Sequence, residues 1–385
     1  MDKPITITSK LPDVGTTIFT VVSAKAEEYG AINLAQGFPN YDCDNLLKDH
    51  VSKSLYDGKN QYAPMAGLLA LRDEISLKIQ ITQALSFSPA DEITITAGAT
   101  QALFSAITAF VHPGEEVIII EPAYDSYAPA IRAVGGIPVY LTTLSPYFTI
   151  DWHELRSLIH SNTRMVIINT PGNPSTKIWR HDDFEQLSLL IEGTNIIILS
   201  DEVYEHLVYD GVKHMSALSF PALRERTLAV YSFGKTFHST GWKIGYCIAS
   251  SELTREFRKV HQFNVFCVSS FVQHGLAAYL RESNTWSNLP QFYQEKRDLL
   301  LQLLSKSHLK PVLSEGSFFN LFDYSEISDL NDMDFVNELI VKHKIAAIPL
   351  SAFYHRPPTH LRYIRLCFAK TEETLRHGAK LLLNI

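Results

Sequence analysis

Residues 195–204 read NIIILSDEVY. Ile196 to Leu199 give four apolar side chains in succession, with no alternation between a wet and a dry face. A strand of that kind is buried on both sides, the pattern of a parallel sheet covered by helices. The run then stops at Ser200 and Asp201. Six further segments share this build: EITITAG (92–98), EEVIIIEPAY (115–124), GIPVYLT (136–142), RMVIINTPGNPS (164–175), TLAVYSFGKT (227–236) and KIGYCIAS (243–250). Helix-like stretches separate several of them, among them ATQALFSAITAF (99–110), DSYAPAIRAVG (125–135) and HDDFEQLSLLI (181–191). Seven short apolar runs interleaved with helices predict an α/β fold with a mainly parallel seven-stranded sheet sandwiched by helices.

Outward from this centre the character changes. TIFTVVSAKAEEYG (17–30) lies in a region, 13–30, that reads as a helix stopped by Gly30, and INLAQGFPN (32–40) as a short strand entering a Gly-Pro loop. After about residue 285 a long helix, LPQFYQEKRDLLLQLLSKS, is followed by GSFFNLFDY, a helix near 332–343, KIAAIPL and YIRLCFA. That mixture predicts a smaller α+β domain built from both chain ends, residues 1–45 and 285–385, beside a large domain of residues 46–284. A chain of 385 residues is long enough for two such cores.

Composition narrows the function classes. Hydrophobic residues make up 46% and charged residues 19%, a globular balance, and the net charge of −7 disfavours a nucleic-acid or anionic-membrane surface. Four cysteines stand far apart with no CxxC pair, which predicts reduced thiols in a cytoplasmic protein. The opening MDKPITITSKLPDVG has no apolar signal core, and no run approaches the ~20 residues needed to span a bilayer.

In a parallel sheet, ligands bind beyond the carboxyl ends of the strands. Reading those ends collects Thr100, Tyr124, Asn173, Asp201, Tyr204, Ser232 and Lys235 on one edge. The GKT triplet at 234–236 is not a phosphate-cradling P-loop, because the glycine required five positions before Gly234 is Ala229. Lys235 has two other readings, a solvated charge at a loop tip or an amine whose ammonium is destabilised by apolar flanks and can attack a carbonyl. Asp201 either caps a following helix or pairs with a cation such as the ring nitrogen of a pyridoxal cofactor. Tyr204, three residues on, and Asn173, placed at the end of the neighbouring run, could bond a phenolic oxygen. Tyr124 is either a stacking ring or a packed sheet-edge tyrosine. Gly98-Ala99-Thr100 opens a helix, whose free N–H groups suit a phosphate, and Ser232 and Lys243 add a hydroxyl and a charge. Arg365, in an apolar strand, suits a carboxylate held by its planar fork or an internal ion pair.

Taken in order, NQYAPMAG, TAGATQAL, PAYDSY, NTPGNPS, SDEVYEH, SFGKTFHSTGWKIGY and IRLCFAK resemble the fold-type I, class I pyridoxal-phosphate aminotransferases along nearly the whole chain. VGTTIFT, INLAQGFPN and YDSYAPAI are most similar to the methionine and kynurenine/glutamine branch. The resemblance implies pyridoxal 5′-phosphate as cofactor, held covalently by Lys235, which would then shuttle the proton. Asp201 would hold the ring nitrogen protonated, Tyr204 and Asn173 would bond the phenolic oxygen, and Tyr124 would stack. Ala99, Thr100, Ser232 and Lys243 would line the phosphate site; the family often has arginine where Lys243 stands. Arg365 would bind the substrate α-carboxylate, helped by Asn173 and the Gly37 backbone. Tyr62 would reach the phosphate of a neighbouring subunit, which implies a homodimer with shared active sites.

The resemblance also bears on the substrate. Aspartate-type members take a second arginine from the partner, and between Arg258 and Arg281 there is none. Ile18, Phe19, Phe38 and Phe266 would instead make an apolar pocket, which favours methionine, phenylalanine, tyrosine, kynurenine or glutamine over dicarboxylates. The expected reaction is transfer of an amino group between an amino acid and a 2-oxo acid. A cysteine-conjugate C–S β-lyase on the same scaffold is the alternative, and a pyridoxal-phosphate-sensing regulator a more distant one.

Overall fold

A computed structural model describes residues 5–385 of the chain. The seven apolar runs form one sheet: β1 (Ile93–Thr96), β2 (Glu116–Glu121), β3 (Ile137–Thr142), β4 (Thr163–Asn169), β5 (Ile197–Asp201), β6 (Thr227–Ser232) and β7 (Gly245–Ala249). Their spatial order is β1-β7-β6-β5-β4-β2-β3. The pairs from β3 through to β6 are parallel, whereas β7 runs antiparallel to both β6 and β1. The mainly parallel α/β sheet read from the sequence is therefore present, with one strand reversed.

Both faces of the sheet are dry. Along β5, Ile197 and Leu199 enter one hydrophobic cluster with the helix Ala99–Phe110, and Ile198 enters the opposite one with Trp179, Phe184 and Leu187. That is the period-two consequence of a strand that opens with three successive apolar side chains. The parallel register sets Asn169 beside Asp201, and Asp201 beside Val230, so the polar ends of β4 and β5 lie abreast. Because β7 is reversed, its beginning, not its end, reaches this same edge. Lys243 stands there with φ 56°. Gly245 follows, where a Cβ would meet the Tyr231 carbonyl at 2.4 Å and the Ala99 amide at 3.2 Å.

A second sheet is built from β8 (Lys310–Val312), β9 (Phe319–Asp323), β10 (Ile348–Pro349) and β11 (Tyr363–Cys367), all antiparallel in the order β10-β11-β9-β8. Ile32–Asn33 pairs in parallel with Ile345–Ala346, and the helix Ile18–Glu28 packs on both of these segments. That helix starts later than the sequence suggested. The Thr17 side chain accepts the Thr20 amide and so serves as its N-cap, leaving residues 13–17 outside. Among the described residues, no helix is long and apolar enough to cross a membrane.

Candidate active site

One cavity lies over the carboxyl edge of the large sheet. It is lined by Gly98, Ala99, Thr100, Tyr124, Asn169, Asn173, Asp201, Val203, Tyr204, Ser232, Lys235 and Lys243, among others. The polar residues gathered from the strand ends thus converge on one space, supplied by five strands and the first turn of the helix Ala99–Phe110.

The phosphate-like corner has a local cause. Gly98, with φ 79°, turns the chain from β1 straight into the helix at Ala99, and no side chain caps that helix. Its first N–H groups are left for a ligand, where the helix dipole favours an anion. Lys243 approaches the same turn: a Cβ on Gly98 would lie 3.5 Å from Lys243 Nζ. Ser232 completes the corner.

Across the cavity Asp201 is buried. Tyr127 Oη donates to its Oδ2 at 2.6 Å and the Val203 amide to its Oδ1 at 3.3 Å. Burial raises its pKa to about 6 despite those donors and the nearby Lys235. No helix follows Asp201, only turns closed by Glu205 N–Glu202 O and Leu207 N–Tyr204 O bonds, so the capping alternative is not realised. Tyr204 sits on these turns, buried against Phe318 and Phe319.

Lys235 occupies a single helical turn, Phe233–Thr236, directly after β6. Its Nζ donates to the Gly37 carbonyl at 2.8 Å and lies 5.5 Å from the Tyr204 ring and 5.4 Å from the Phe318 ring. Burial lowers its pKa to about 8, and the Arg365 and Lys243 charges push the same way. The solvated loop-tip reading of Lys235 is thereby set aside.

Arg365, on β11, is 1% exposed. Its guanidinium donates to Asn173 Oδ1 and to the Ala35 carbonyl. Phe319 stacks on it at 3.8 Å, with Phe353 at 5.1 Å and Phe19 at 5.4 Å. Among the described residues its buried Nε has no hydrogen-bond partner. Arg362, three positions before it, pairs with Asp329.

Other predicted residues fall elsewhere. Phe38 is 45% exposed and lines a separate cavity with Lys370 and His377. Tyr62 is 81% exposed, edge-to-face with Phe266 on the surface, so neither ring enters the cavity of this chain. Ile18 and Phe19 are half-buried on the N-terminal helix. Asn173 does not end a strand: Asn169 ends β4, and its Oδ1 accepts the Asn173 amide at 2.7 Å, which fixes the turn between them. Sequence reasoning missed Asn169 and Tyr127. The second tyrosine of YDSY, three residues after Tyr124, was the available sign of Tyr127.

The donor set fits a pyridoxal phosphate. It offers an uncapped helix start with a lysine for a phosphate, a buried carboxylate for a ring cation, and a lysine of lowered pKa between them. The family profile of aminotransferase class I and II matches residues 29–382. The chain belongs to the class I and II aminotransferases. This aminotransferase is 47% identical over 382 residues to the methionine aminotransferase of Escherichia coli (strain K12), covering 99% of each chain. It is 31% identical to a kynurenine–oxoglutarate transaminase of Dictyostelium discoideum, covering 96% of this chain and 94% of that one. A solved Escherichia coli structure, reported with a methionine aminotransferase function, superposes with a TM-score of 0.97 at 47% identity, covering 99% and 100%. The N-succinyldiaminopimelate aminotransferase of Mycobacterium tuberculosis superposes at 0.95 with 31% identity, covering 98% and 100%.

Proposed function

We propose that this aminotransferase uses pyridoxal 5′-phosphate to exchange an amino group between an apolar or aromatic L-amino acid, methionine foremost, and a 2-oxo acid. The observation that carries the reading is the cavity shared by Lys235 and Asp201, whose wall residue Asn173 is bonded by Arg365, with three phenylalanine rings around that arginine. The high identity to an enzyme named for methionine points the same way.

When bound, the cofactor supplies an electron-accepting ring that stabilises the charge left at the substrate Cα. Asp201 would pair with the ring nitrogen as its cation, a pairing that would favour the charged form of the buried carboxylate. Tyr204 and Asn173 would bond the phenolic oxygen, and Tyr124 would stack on the ring. Ser232, Lys243 and the amides of Ala99 and Thr100 would receive the phosphate. Lys235 would hold the cofactor and carry the proton to and from the substrate Cα, which its lowered pKa permits near neutrality. Arg365 would hold the substrate carboxylate, with Gly37 and Asn173 beside it.

Phe19, Phe319 and Phe353 surround the arginine that would hold the substrate carboxylate, an apolar setting that suits an apolar side chain. The two arginines flanking the 259–280 region are engaged elsewhere. Arg258 donates to Thr94, Ala90 and Ile93, and Arg281 to Glu74. Neither is free for a distal carboxylate. We also infer a large domain of residues 46–284, a small domain from the two chain ends, and a homodimer in which Tyr62 reaches the second copy's phosphate corner. The exposed Tyr62, Phe263 and Phe266 support that assembly.

The test is the visible spectrum of protein loaded with pyridoxal phosphate, before and after methionine alone. Conversion of the yellow band to the pyridoxamine form, with one 2-oxo acid made per site, is expected. An unchanged band, with activity only on dicarboxylic amino acids, would overturn the substrate assignment. Pyruvate and ammonia from a cysteine conjugate, without a 2-oxo acid acceptor, would favour the lyase.

A further inference from the structure

Residues 34–38, LAQGF, carry five successive main-chain carbonyls, and every one has a partner. Leu34 O accepts the Cys367 amide at 2.8 Å. Ala35 O accepts Arg365 Nη2 at 2.9 Å. Gln36 O accepts Lys370 Nζ at 3.1 Å. Gly37 O accepts Lys235 Nζ at 2.8 Å. Phe38 O accepts the same Lys370 Nζ at 2.7 Å. The partners alternate along the segment, although residues 35–38 form a series of bends beyond the strand Ile32–Asn33. Ala35 and Gly37 face the two cations of the site, and Leu34, Gln36 and Phe38 face the strand end that carries Lys370.

Lys370 is unusual in this setting. It is 3% exposed, and no carboxylate lies within ion-pair distance of it among the described residues. A buried ammonium of that kind is costly unless its donors are used. Two go to the Gln36 and Phe38 carbonyls, and the Phe38 ring lies 5.1 Å away. The seam continues beyond it: the Thr371 amide donates to Asn40 Oδ1 at 2.7 Å, and Asn40 Nδ2 to Thr374 Oγ1 at 2.8 Å. On the far side Gln36 Nε2 donates to the Phe19 carbonyl at 3.0 Å, tying the seam to the N-terminal helix that sets Phe19 on Arg365. Gly37 admits no side chain, because a Cβ there would meet the Phe319 ring at 2.6 Å.

We propose that Lys370 is a positioning residue for the substrate carboxylate site: by gripping the carbonyls on either side of Gly37, it fixes the one carbonyl that faces Lys235 and the backbone that lies beside Arg365. Its ammonium acts through the loop and touches neither substrate nor cofactor. The functional part of this statement rests on the reading of Arg365 and Gly37 as the carboxylate site; the grip itself does not.

The experiment compares wild type, Lys370→Met and Lys370→Arg, all loaded with pyridoxal phosphate. It reads amide hydrogen exchange of a peptide covering residues 33–40 together with KM and kcat for methionine and a 2-oxo acid. In Lys370→Met the 33–40 amides are expected to exchange at least tenfold faster, while peptides from β4 to β6 keep their protection. KM for both substrates should rise about tenfold with kcat changed less than threefold, and Lys370→Arg should recover most of both effects. Unchanged exchange at 33–40 overturns the grip, whatever the activity. Accelerated exchange with unchanged KM overturns the link to substrate binding, and wild-type protein inactive on every amino acid would fault the assigned reaction instead. Should Lys370→Met fail to fold, Lys370→Gln keeps one N–H donor group without the charge and carries the same two readouts.

Discussion

Lys235 illustrates how one side chain is set by its surroundings. Burial brings its pKa from 10.5 to about 8. The shift is downward, so the neutral amine predominates above about pH 8. Covalent uptake of pyridoxal phosphate by the apoprotein should therefore accelerate with pH around a midpoint near 8, followed by the growth of the visible band; a midpoint near 10.5 would mean that the lysine is solvated before the cofactor arrives. Asp201, Ser232 and Lys235 were legible because each ends or follows an apolar run, and a strand end is a place the sequence marks clearly. Tyr127 was not legible in the same way. It bonds Asp201 across 74 positions of chain, and nothing in its own neighbourhood announces a carboxylate. Phe38 misled for the opposite reason: an aromatic beside a glycine loop suggests a pocket wall, yet its ring turns outward over Lys370.

At the scale of elements, the turns after β5 carry two roles at once. Asp201 and Tyr204 face the cavity, while Glu202 and Glu205 point behind it. Glu205 pairs with Lys78 at 2.6 Å, both buried, and Tyr246 Oη donates to the same carboxylate oxygen at 2.9 Å. Glu202 accepts bonds from Ser200, Ser216 and Tyr231 and lies 2.9 Å from His214 Nε2. Glu205→Gln would leave the Lys78 ammonium buried without a counter-charge, at a cost of about 3–5 kcal/mol. Although burial opposes it, the Lys78 and His206 charges hold the Glu205 pKa at about 2, below its ordinary 4.5. The contribution of the pair is then complete above about pH 4.5 and lost as pH falls toward 2. Urea unfolding should show the gap between wild type and Glu205→Gln narrowing across that window; a gap independent of pH would mean that the carboxylate's charge has no part. Such pairs escape sequence reading, since SDEVYEH gives no sign of which acidic residues face forward. The reversal of β7 was hidden too. KIGYCIAS has the same Ile-rich, non-alternating build as its parallel neighbours, and strand direction is set by the connection from Lys235 to Lys243 rather than by the strand's own composition.

The whole molecule leaves Tyr62 stranded on its own surface, 81% exposed, although it stands in NQYAPMAG, one of the stretches that carry the resemblance to the family. A residue acting in the partner's site predicts complementation. Lys235→Ala protein and Tyr62→Ala protein, each weakly active or inactive alone, should regain activity when unfolded together and refolded as a mixture. In a hybrid pair the site with an intact Lys235 receives Tyr62 from the other chain. No gain above the separate proteins, in a mixture shown by native mass spectrometry to contain hybrids, would place Tyr62 within its own subunit or outside the site. The broad architecture was readable because seven apolar runs allow little besides a covered sheet. The way the two chain ends meet was not, since Leu34 and Cys367 are 333 positions apart and joined through a main-chain bond that leaves no trace in composition.

The joining of residues 34–40 to 365–374 also bounds how far this enzyme can be reduced. A fragment beginning after residue 45 would still contain all seven strands of the large sheet, and on a diagram it would pass for a self-sufficient catalytic module. It would also contain Arg365 and Lys370, stripped of the main-chain carbonyls of Ala35, Gln36 and Phe38 that now receive them. Residues 34–40 are therefore a structural counterpart to residues 365–374, and shortening either end means redesigning the other.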